Sequence, residues 1–280
     1  MKPKLIRHIK EACDFLIARG FDRPEIGLIL GTGLGRLVDS ISVISEVHYT
    51  LIPHFPSATV EFHKGKLIYG DLGGKKVIVM QGRFHIYEGY TSIEVTFPVR
   101  VMHSLGIKKL LVSNASGALN LNFKKGEMML INDHINLQGS SPLAFTGVDQ
   151  LGERFVDLHM PYDPNMSQTL LSIAKNNGIK LHQGVYVGVR GPELETRAEY
   201  RYLKLIGGDA VGMSTVPEII VANHLKLPVA AVSVLTDECD PDHLAPVDIA
   251  DIIASAQKAE TDMVFLFKNP SSDPLYILQT

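Results

Sequence analysis

The sequence contains 280 residues, and its 27 basic and 30 acidic side chains give a formal net charge of −3, which argues against a strongly basic nucleic-acid-binding protein. The 45% hydrophobic and 20% charged fractions exclude a disordered chain, and no segment approaches the roughly 18 uncharged apolar residues of a membrane-spanning helix. Only Cys13 and Cys239 are present and residues 1–10 lack the apolar core of a secretory signal, so we expect a soluble cytoplasmic protein without nucleic-acid or membrane partners.

Apolar spacing predicts the elements in chain order. Residues 4–19 carry apolar side chains at intervals of three and four, which is typical of an amphipathic helix that ends at Gly20. An apolar run at 26–30 predicts a buried strand, and runs at 66–72 and 76–80 predict a hairpin. Further strands are predicted at 110–112, 184–189, 209–212 and 229–235. Further helices are predicted at 92–105, 165–177, 196–205, 216–225 and 247–267.

Apolar strands that alternate with helices are typical of a sheet covered on both faces. No repeat, low-complexity tract or linker interrupts the chain, so we predict an α/β fold with a mixed β-sheet flanked by helices, as a single domain over residues 1–280. Ligands of such sheets bind beyond the carboxyl ends of the strands. Six predicted strands end in glycine, hydroxyl, polar or charged residues, and these strand ends form the candidate site.

The segment at 31–35, Gly-Thr-Gly-Leu-Gly, follows the first predicted strand. Glycines let backbone N–H groups approach an anion closely, and Thr32 adds a hydroxyl group. The loop is not the dinucleotide fingerprint, because Arg36 stands where the third glycine would be, and no Gly-Lys-Ser/Thr of a phosphate-binding Walker loop follows. A tight turn without a ligand remains the alternative.

Arg83 and His85 follow the second strand of the predicted hairpin. The planar fork of arginine matches phosphate oxygens, and two residues that are two apart in an extended segment point the same way. Glu88 is close enough in sequence to orient either side chain. A surface ion pair beside an ordinary histidine is the alternative.

Two other strand ends carry carboxyl groups. Glu193 and Glu195 allow a paired-carboxylate hydrolase, an acceptor for a ligand N–H, or acidic residues at the start of a helix. The segment at 237–243 contains carboxylates, a thiol and an imidazole, but its spacing matches no structural zinc site, so Asp237 alone is expected to belong to the site. The small residues at 113–117 leave room for a flat ligand, or form a plain turn.

Six segments together resemble the trimeric class of purine nucleoside phosphorylases, across most of the chain. They are Gly31 to Gly35, GRFHIYEGY at 82–90, NASG at 114–117, DHINL at 133–137, GPELET at 191–196 and DAVGMSTVPE at 209–218. The resemblance implies a homotrimer that catalyses reversible phosphorolysis of purine nucleosides in purine salvage. Inorganic phosphate is then a co-substrate, and neither a metal nor an organic cofactor is implied.

Matching positions imply the site residues. The implied phosphate site comprises Thr32, His63, Arg83, His85, Ala115 through its backbone N–H, and Ser214. The implied nucleoside site comprises Tyr87, Asn114, Leu194, Glu195, Met213, Asp237, and Phe155 from a neighbouring subunit. Among these, His85, Glu195 and Asp237 are the implied catalytic residues.

Three departures from the family pattern bear on the substrate. Asp237 replaces the usual asparagine: an ionised aspartate suits a 6-amino group, whereas a protonated one can donate to N7. Ile249 or Val247 stands near the place of a histidine that contacts the ribose 5′-hydroxyl, and Leu194 replaces an aromatic residue beside the base. Because N1–H exists only on 6-oxopurines, Glu195 favours inosine and guanosine as substrates. An S-methyl-5′-thioadenosine phosphorylase is the alternative.

Two readings from other classes are weaker. A nucleoside- or phosphate-binding module without turnover is disfavoured because the full set of polar strand ends is present. A Rossmann dehydrogenase is disfavoured by the incomplete glycine pattern.

Overall fold

The computed structural model describes residues 4–32, 35–60 and 64–268, and within these ranges nine strands form one mixed sheet. The strands are β1 (Ile26–Leu30), β2 (Ser42–His48), β3 (Lys66–Leu72), β4 (Lys75–Gln81), β5 (Lys109–Ala118), β6 (Met128–Asn136), β7 (Leu181–Gly188), β8 (Ala210–Gly212) and β9 (Val229–Glu238). Their order is β2-β3-β4-β1-β5-β8-β7-β6-β9, and β5 also pairs with β9. The last five strands in this order therefore form a closed ring.

Seven α-helices flank the sheet in the described part of the chain. They are α1 (Lys4–Ile17), α2 (Ser92–Val95), α3 (Phe97–Leu105), α4 (Pro164–Asn176), α5 (Arg197–Leu205), α6 (Val216–His224) and α7 (Ile249–Lys268). The predicted mixed sheet flanked by helices is confirmed. No helix among the described residues has the length and apolar character needed to cross a bilayer.

The strand β1 shows why this sequence forms a central strand. All five of its residues are buried, because it pairs in parallel with β4 on one side and β5 on the other. Ile29 packs into the core beneath α1, α3 and α6, whereas Leu28 and Leu30 pack into the core beneath α4 and α7. A strand buried on both faces reads as a continuous apolar run, as observed here.

The prediction and the structure differ at three elements. The helix predicted at 92–105 is two helices, because Pro98 lacks an N–H group and Thr96 ends α2, where its hydroxyl donates to the Ser92 carbonyl at 2.8 Å. The strand β2 was not predicted because it lies at the sheet edge, where only Val47 is buried and no apolar run exists. The strand β6 was not predicted either, because only its first four residues are buried and its second half is mostly polar.

The strands β4, β1, β5 and β9 run parallel to one another, so their carboxyl ends meet at one edge of the sheet. The register between β5 and β9 shifts there, because Ser116 pairs with Leu235 and Gly117 pairs with Asp237. Thr236 is the extra residue of this β-bulge. Such bulges redirect side chains next to functional sites.

Candidate active site

A cavity of about 290 Å³ opens at this edge of the sheet. Most of the residues predicted for the site line it: Thr32, Arg83, His85, Tyr87, Asn114, Ala115, Leu194, Glu195, Met213, Ser214 and Asp237. The cavity therefore gathers side chains from the ends of separate strands, and its two groups of charged residues have different surroundings.

Arg83 is the buried cation of the cavity, with only 1% of its surface exposed. Its Nη1 donates to the hydroxyls of Ser214 and Thr215, both at 2.9 Å, and its Nη2 donates to the Ser113 carbonyl at 2.6 Å. The carboxylate of Glu218 lies 3.8 Å from Nε and is itself buried, so it balances the charge. These contacts fix the guanidinium beside Ser214.

Thr215 is a site residue that the sequence patterns did not reveal. It has a φ of 70°, in the left-handed region that residues other than glycine rarely adopt. Its hydroxyl accepts from Arg83 and from Asn114 Nδ2, the latter at 2.7 Å. Backbone strain of this kind persists where surrounding contacts enforce it. Here the contacts of the Thr215 hydroxyl join the ends of β4 and β5 to the start of α6.

His85 is held by Glu88, as the sequence suggested. Its Nδ1 lies 2.9 Å from a Glu88 carboxylate oxygen, which also accepts from the His85 backbone N–H at 2.7 Å. Burial raises the pKa of Glu88, but hydrogen bonds from His85 and Thr59 outweigh it and lower the pKa to about 2. Burial lowers the pKa of His85, and the Glu88 hydrogen bond opposes that shift. The second ring nitrogen of His85 remains on the side away from this carboxylate.

The close approach of two strand ends depends on Gly31. A β-carbon at this position would lie 2.8 Å from the Asn114 Cα and 2.9 Å from the Ser113 carbonyl oxygen, so a side chain would force the loop after β1 away from β5. Thr32 and Ala115 are thereby brought to the same cavity as Arg83. The predicted anion-binding character of this loop stays a prediction.

Glu195 and Asp237 form the second charged group. Burial is the largest influence on Glu195 and raises the pKa of its carboxyl group, and the charge of Asp237 acts in the same direction. Asp237 Oδ1 lies 2.9 Å from the Thr236 hydroxyl, and Oδ2 lies 3.2 Å from Cys239 Sγ.

Apolar side chains from α7 complete the wall of the cavity. Ile249, Ile252 and Ile253 line it together with Val60. The sequence pattern predicted Ile249 or Val247 near the ribose 5′-hydroxyl, and of these two residues Ile249 lines the cavity. Ile252 and Ile253 were missed because their spacing also fits the core-facing stripe of a helix.

One predicted residue is not brought to the cavity in this single chain, and another lies outside the described residues. Phe155 is 87% exposed and is absent from the residues that line the cavity. His63 lies outside the described residues. In the described ranges, no three His, Cys, Asp or Glu side chains come together in a way that could hold a metal ion. The carboxylates, thiol and imidazole of residues 237–243 therefore form no such cluster.

Comparison with known proteins identifies the class. The sequence profile of the phosphorylase superfamily matches residues 25–268. The chain belongs to this superfamily, and within it to the purine nucleoside phosphorylases that its relatives represent. It is an enzyme of the pentosyltransferase type, as the sequence predicted.

The relatives cover nearly the whole chain. Purine nucleoside phosphorylase 1 of Geobacillus stearothermophilus is 44% identical over 260 residues, which are 93% of this chain and 95% of the relative. The purine nucleoside phosphorylase of Schistosoma mansoni has been solved in complex with adenosine and with hypoxanthine. Both of those structures are 39% identical and cover 94% of this chain and 95% of their own, with TM-scores of 0.88 and 0.87.

Proposed function

We propose that the chain catalyses the reversible phosphorolysis of 6-oxopurine nucleosides, inosine and guanosine and their 2′-deoxy forms, to the free base and (deoxy)ribose 1-phosphate. The observation that carries this specificity is a single cavity lined both by the buried cation Arg83 and by the carboxyl pair Glu195 and Asp237. The cation suits phosphate, and the carboxyl pair suits the hydrogen-bonding edge of a purine.

Phosphate is the attacking group in this reaction. It would be held by the Arg83 guanidinium, His85, the hydroxyls of Thr32 and Ser214 and the Ala115 N–H, and His63 would belong to the same phosphate site. Inorganic phosphate is a modest nucleophile, so holding it against C1′ of the sugar supplies much of the rate through proximity. The reaction requires neither a metal nor an organic cofactor.

The departing base is the other half of the chemistry. As the glycosidic bond stretches, the sugar becomes oxocarbenium-like and negative charge moves onto the purine. An ionised Glu195 would accept the N1–H, and a protonated Asp237 would donate to N7. Donors placed where charge develops stabilise the transition state more than the ground state.

The remaining lining residues would hold the nucleoside between these two groups. Tyr87 and Met213 would contact the ribose, and Asn114 and Leu194 would lie against the nucleoside. The ring of Tyr87 stacks on His85 with centroids 4.5 Å apart, which fixes both rings. Leu194 offers less stacking area than an aromatic residue would.

Formation of ribose 1-phosphate tests the reaction. Inosine incubated with the protein and phosphate is expected to give equal amounts of hypoxanthine and ribose 1-phosphate, followed by absorbance and phosphorus NMR. Omitting phosphate is expected to stop base release. Release of base at the same rate without phosphate would identify a hydrolase and overturn the proposal.

An S-methyl-5′-thioadenosine phosphorylase remains the second candidate, and one observation favours it. Ile249, Ile252 and Ile253 give the cavity an apolar wall, which is suited to a 5′-methylthio group and offers no partner to a 5′-hydroxyl. An ionised Asp237 would accept from the 6-amino group of that substrate. Glu195 argues for the 6-oxopurine, because its carboxylate needs a donor at N1.

Asp237→Asn is expected to raise the ratio of kcat/KM for inosine to that for adenosine by about tenfold, because an asparagine amide donates to N7 and O6 without needing a bound proton. Initial rates with both nucleosides measure this ratio. Asp240→Asn is the matched control, since Asp240 lies in the same loop but outside the cavity. A ratio that falls in Asp237→Asn would refute the role of Asp237 as a donor.

The proposed enzyme is a homotrimer in which Phe155 reaches the cavity of a neighbouring subunit. Support comes from the 87% exposure of Phe155, which leaves its side chain accessible to a second subunit. Light scattering is expected to give the mass of three 30.8-kDa chains, and Phe155→Ala is expected to raise the KM for inosine about tenfold. A monomer with an unchanged KM in Phe155→Ala would contradict this arrangement.

A cytoplasmic location is also part of the proposed function. Cys13 and Cys239 are both free thiols, which suits a reducing compartment.

A further inference from the structure

A surface loop, residues 152–161, begins and ends against the last turn of α6. At its start Gly152 packs on His224, where a β-carbon would lie 2.7 Å from the His224 carbonyl oxygen and 2.8 Å from its Nε2. At its end the Pro161 carbonyl accepts a hydrogen bond from Asn223 Nδ2 at 2.9 Å. We call residues 152–161 the arm. Compact surface loops whose two ends lie close together frequently carry function.

The arm carries Phe155, whose side chain is 87% exposed. None of the arm residues, all of which the structure describes, belongs to a helix or a strand. Leu158 is partly buried and packs against the core, and the Arg154 guanidinium lies 5.9 Å from the centroid of the Phe155 ring. Because the arm has no regular structure of its own, the position of the Phe155 ring depends on contacts at the base of the arm.

Asn223 holds the end of the arm with one amide group. Its Nδ2 donates to the Pro161 carbonyl and to the Ile219 carbonyl one turn earlier in α6, both at 2.9 Å. Carbonyl oxygens can only accept, so the nitrogen rather than the oxygen of the amide must face both of them. Each of the two amide hydrogens therefore has its own acceptor, one in the helix and one in the arm.

His224 holds the start of the arm. It is 3% exposed, and its Nδ1 accepts a hydrogen bond from Arg100 Nη1 at 3.2 Å, which fixes the ring. The backbone of Gly152 lies against this ring and the His224 carbonyl, at a distance that leaves no room for a side chain. Lys226 also pairs with Glu153 at 2.8 Å, but both side chains are exposed, so this ion pair contributes little.

The opposite end of α6 belongs to the cavity of the same subunit. Ser214 and Thr215 immediately precede α6 and accept hydrogen bonds from Arg83, and Glu218 in its first turn lies 3.8 Å from the Arg83 Nε. One nine-residue helix therefore has the proposed phosphate site at its start and the base of the arm at its end.

We propose that Asn223 is a positioning residue, which fixes the arm to α6 and thereby places Phe155 in the nucleoside site of the neighbouring subunit. The inference rests on the homotrimer of the proposed function. Asn223 is not among the residues that line the cavity of its own subunit, so it acts through Phe155. Gly152 has the matching role at the start of the arm, where it allows the close approach to His224.

Asn223→Asp tests the end of the arm. The carboxylate has nearly the same shape but offers no hydrogen to either carbonyl, so the KM for inosine is expected to rise about fivefold. The kcat and the KM for phosphate are expected to stay near their wild-type values. Damage to α6 as a whole would reach Ser214 and Glu218, and would raise the KM for phosphate too. Asn177→Asp is the matched control, because Asn177 Nδ2 donates to the Ile173 carbonyl in the same way at the end of α4.

Gly152→Ala tests the start of the arm and leaves Asn223 intact. The added methyl group would meet the His224 carbonyl and ring, so the base of the arm has to shift. The KM for inosine is again expected to rise about fivefold, with the KM for phosphate unchanged. This variant gives an independent result if Asn223→Asp folds poorly.

A double variant decides whether Asn223 acts through Phe155. Phe155→Ala alone is expected to raise the KM for inosine about tenfold. Phe155→Ala combined with Asn223→Asp is expected to stay at about tenfold, because no ring is left to misplace, whereas independent effects would multiply to about 50-fold.

Mixed trimers test the action between subunits. Asn223→Asp chains and Glu195→Ala chains with different tags are co-expressed, and trimers that contain both are isolated. The Glu195→Ala subunits have a defective purine site but an intact arm. An Asn223→Asp site that receives this arm is expected to recover the wild-type KM for inosine.

The outcomes separate the role of Asn223 from the proposed function. An unchanged KM for inosine in Asn223→Asp and Gly152→Ala, beside a raised KM in Phe155→Ala, would overturn the positioning role. A double variant near the product of the two single effects would overturn it, as would mixed trimers in which no site recovers. A monomeric wild-type protein with an unchanged KM in Phe155→Ala would instead overturn the proposed trimer, and the arm would then have no neighbouring site to reach.

Discussion

Glu195→Ala is expected to lower kcat/KM for inosine by about 10²–10³-fold, and to lower kcat/KM for adenosine far less. The carboxylate would accept N1–H of a 6-oxopurine, and this contact strengthens as charge moves onto the departing base. Adenosine has no hydrogen at N1, so it loses little when the acceptor is removed. Initial rates with both nucleosides at saturating phosphate measure the two losses.

Glu195→Gln separates charge from shape in this prediction. Glutamine keeps an oxygen that accepts a hydrogen bond and removes the ionisable group whose pKa burial raises. Its loss with inosine is expected to be smaller than that of Glu195→Ala, and its acidic pH limb is expected to flatten. Equal losses for inosine and adenosine in Glu195→Ala would contradict the assignment of Glu195 to N1–H.

Arg83→Ala is expected to raise the KM for phosphate by about 10²-fold, since it removes the buried positive charge of the cavity and the donor that positions the Ser214 hydroxyl. Removing it also leaves the Glu218 carboxylate buried without its cation, which is expected to lower the free energy of unfolding by about 3–5 kcal/mol. Phosphate titrations at saturating inosine measure the first effect, and thermal melting measures the second.

Two variants keep the effect on binding apart from the effect on stability. Arg83→Lys retains a positive charge for Glu218 and loses the planar fork, so it is expected to fold well and still raise the KM for phosphate. Arg100→Ala removes another arginine that is 1% exposed but lies outside the cavity. It is expected to lower stability and leave the KM for phosphate near the wild-type value. An unchanged KM in both Arg83 variants would remove Arg83 from the phosphate site.

Local apolar spacing was enough to predict most of the strands and helices, although β6 was missed. The strand β1 was predicted with the observed bounds because it is buried on both faces, and α1 was predicted because its buried residues repeat at helical intervals. The strand β2 carried no such signal, since an exposed edge strand needs no apolar run. The break between α2 and α3 depends on contacts of Thr96 within the first turn, and the spacing pattern does not record them.

The candidate site was predictable where residues follow strands directly. Arg83, His85 and Asp237 stand at strand ends, so the topology brings them to one edge. Thr215 was missed because its role comes from contacts with Arg83 and Asn114, which lie more than 100 positions away in the chain. Only the packing of the folded chain brings its hydroxyl to these two side chains.

Base release from four nucleosides, measured in parallel with and without phosphate, tests the central claim most directly. Inosine and guanosine are expected to turn over only when phosphate is present, with adenosine and S-methyl-5′-thioadenosine much slower. That result would agree with an ionised Glu195 and a protonated Asp237 in one cavity. A preference for S-methyl-5′-thioadenosine would contradict it, and would mean that an ionised Asp237 and the isoleucine wall of α7 select the substrate.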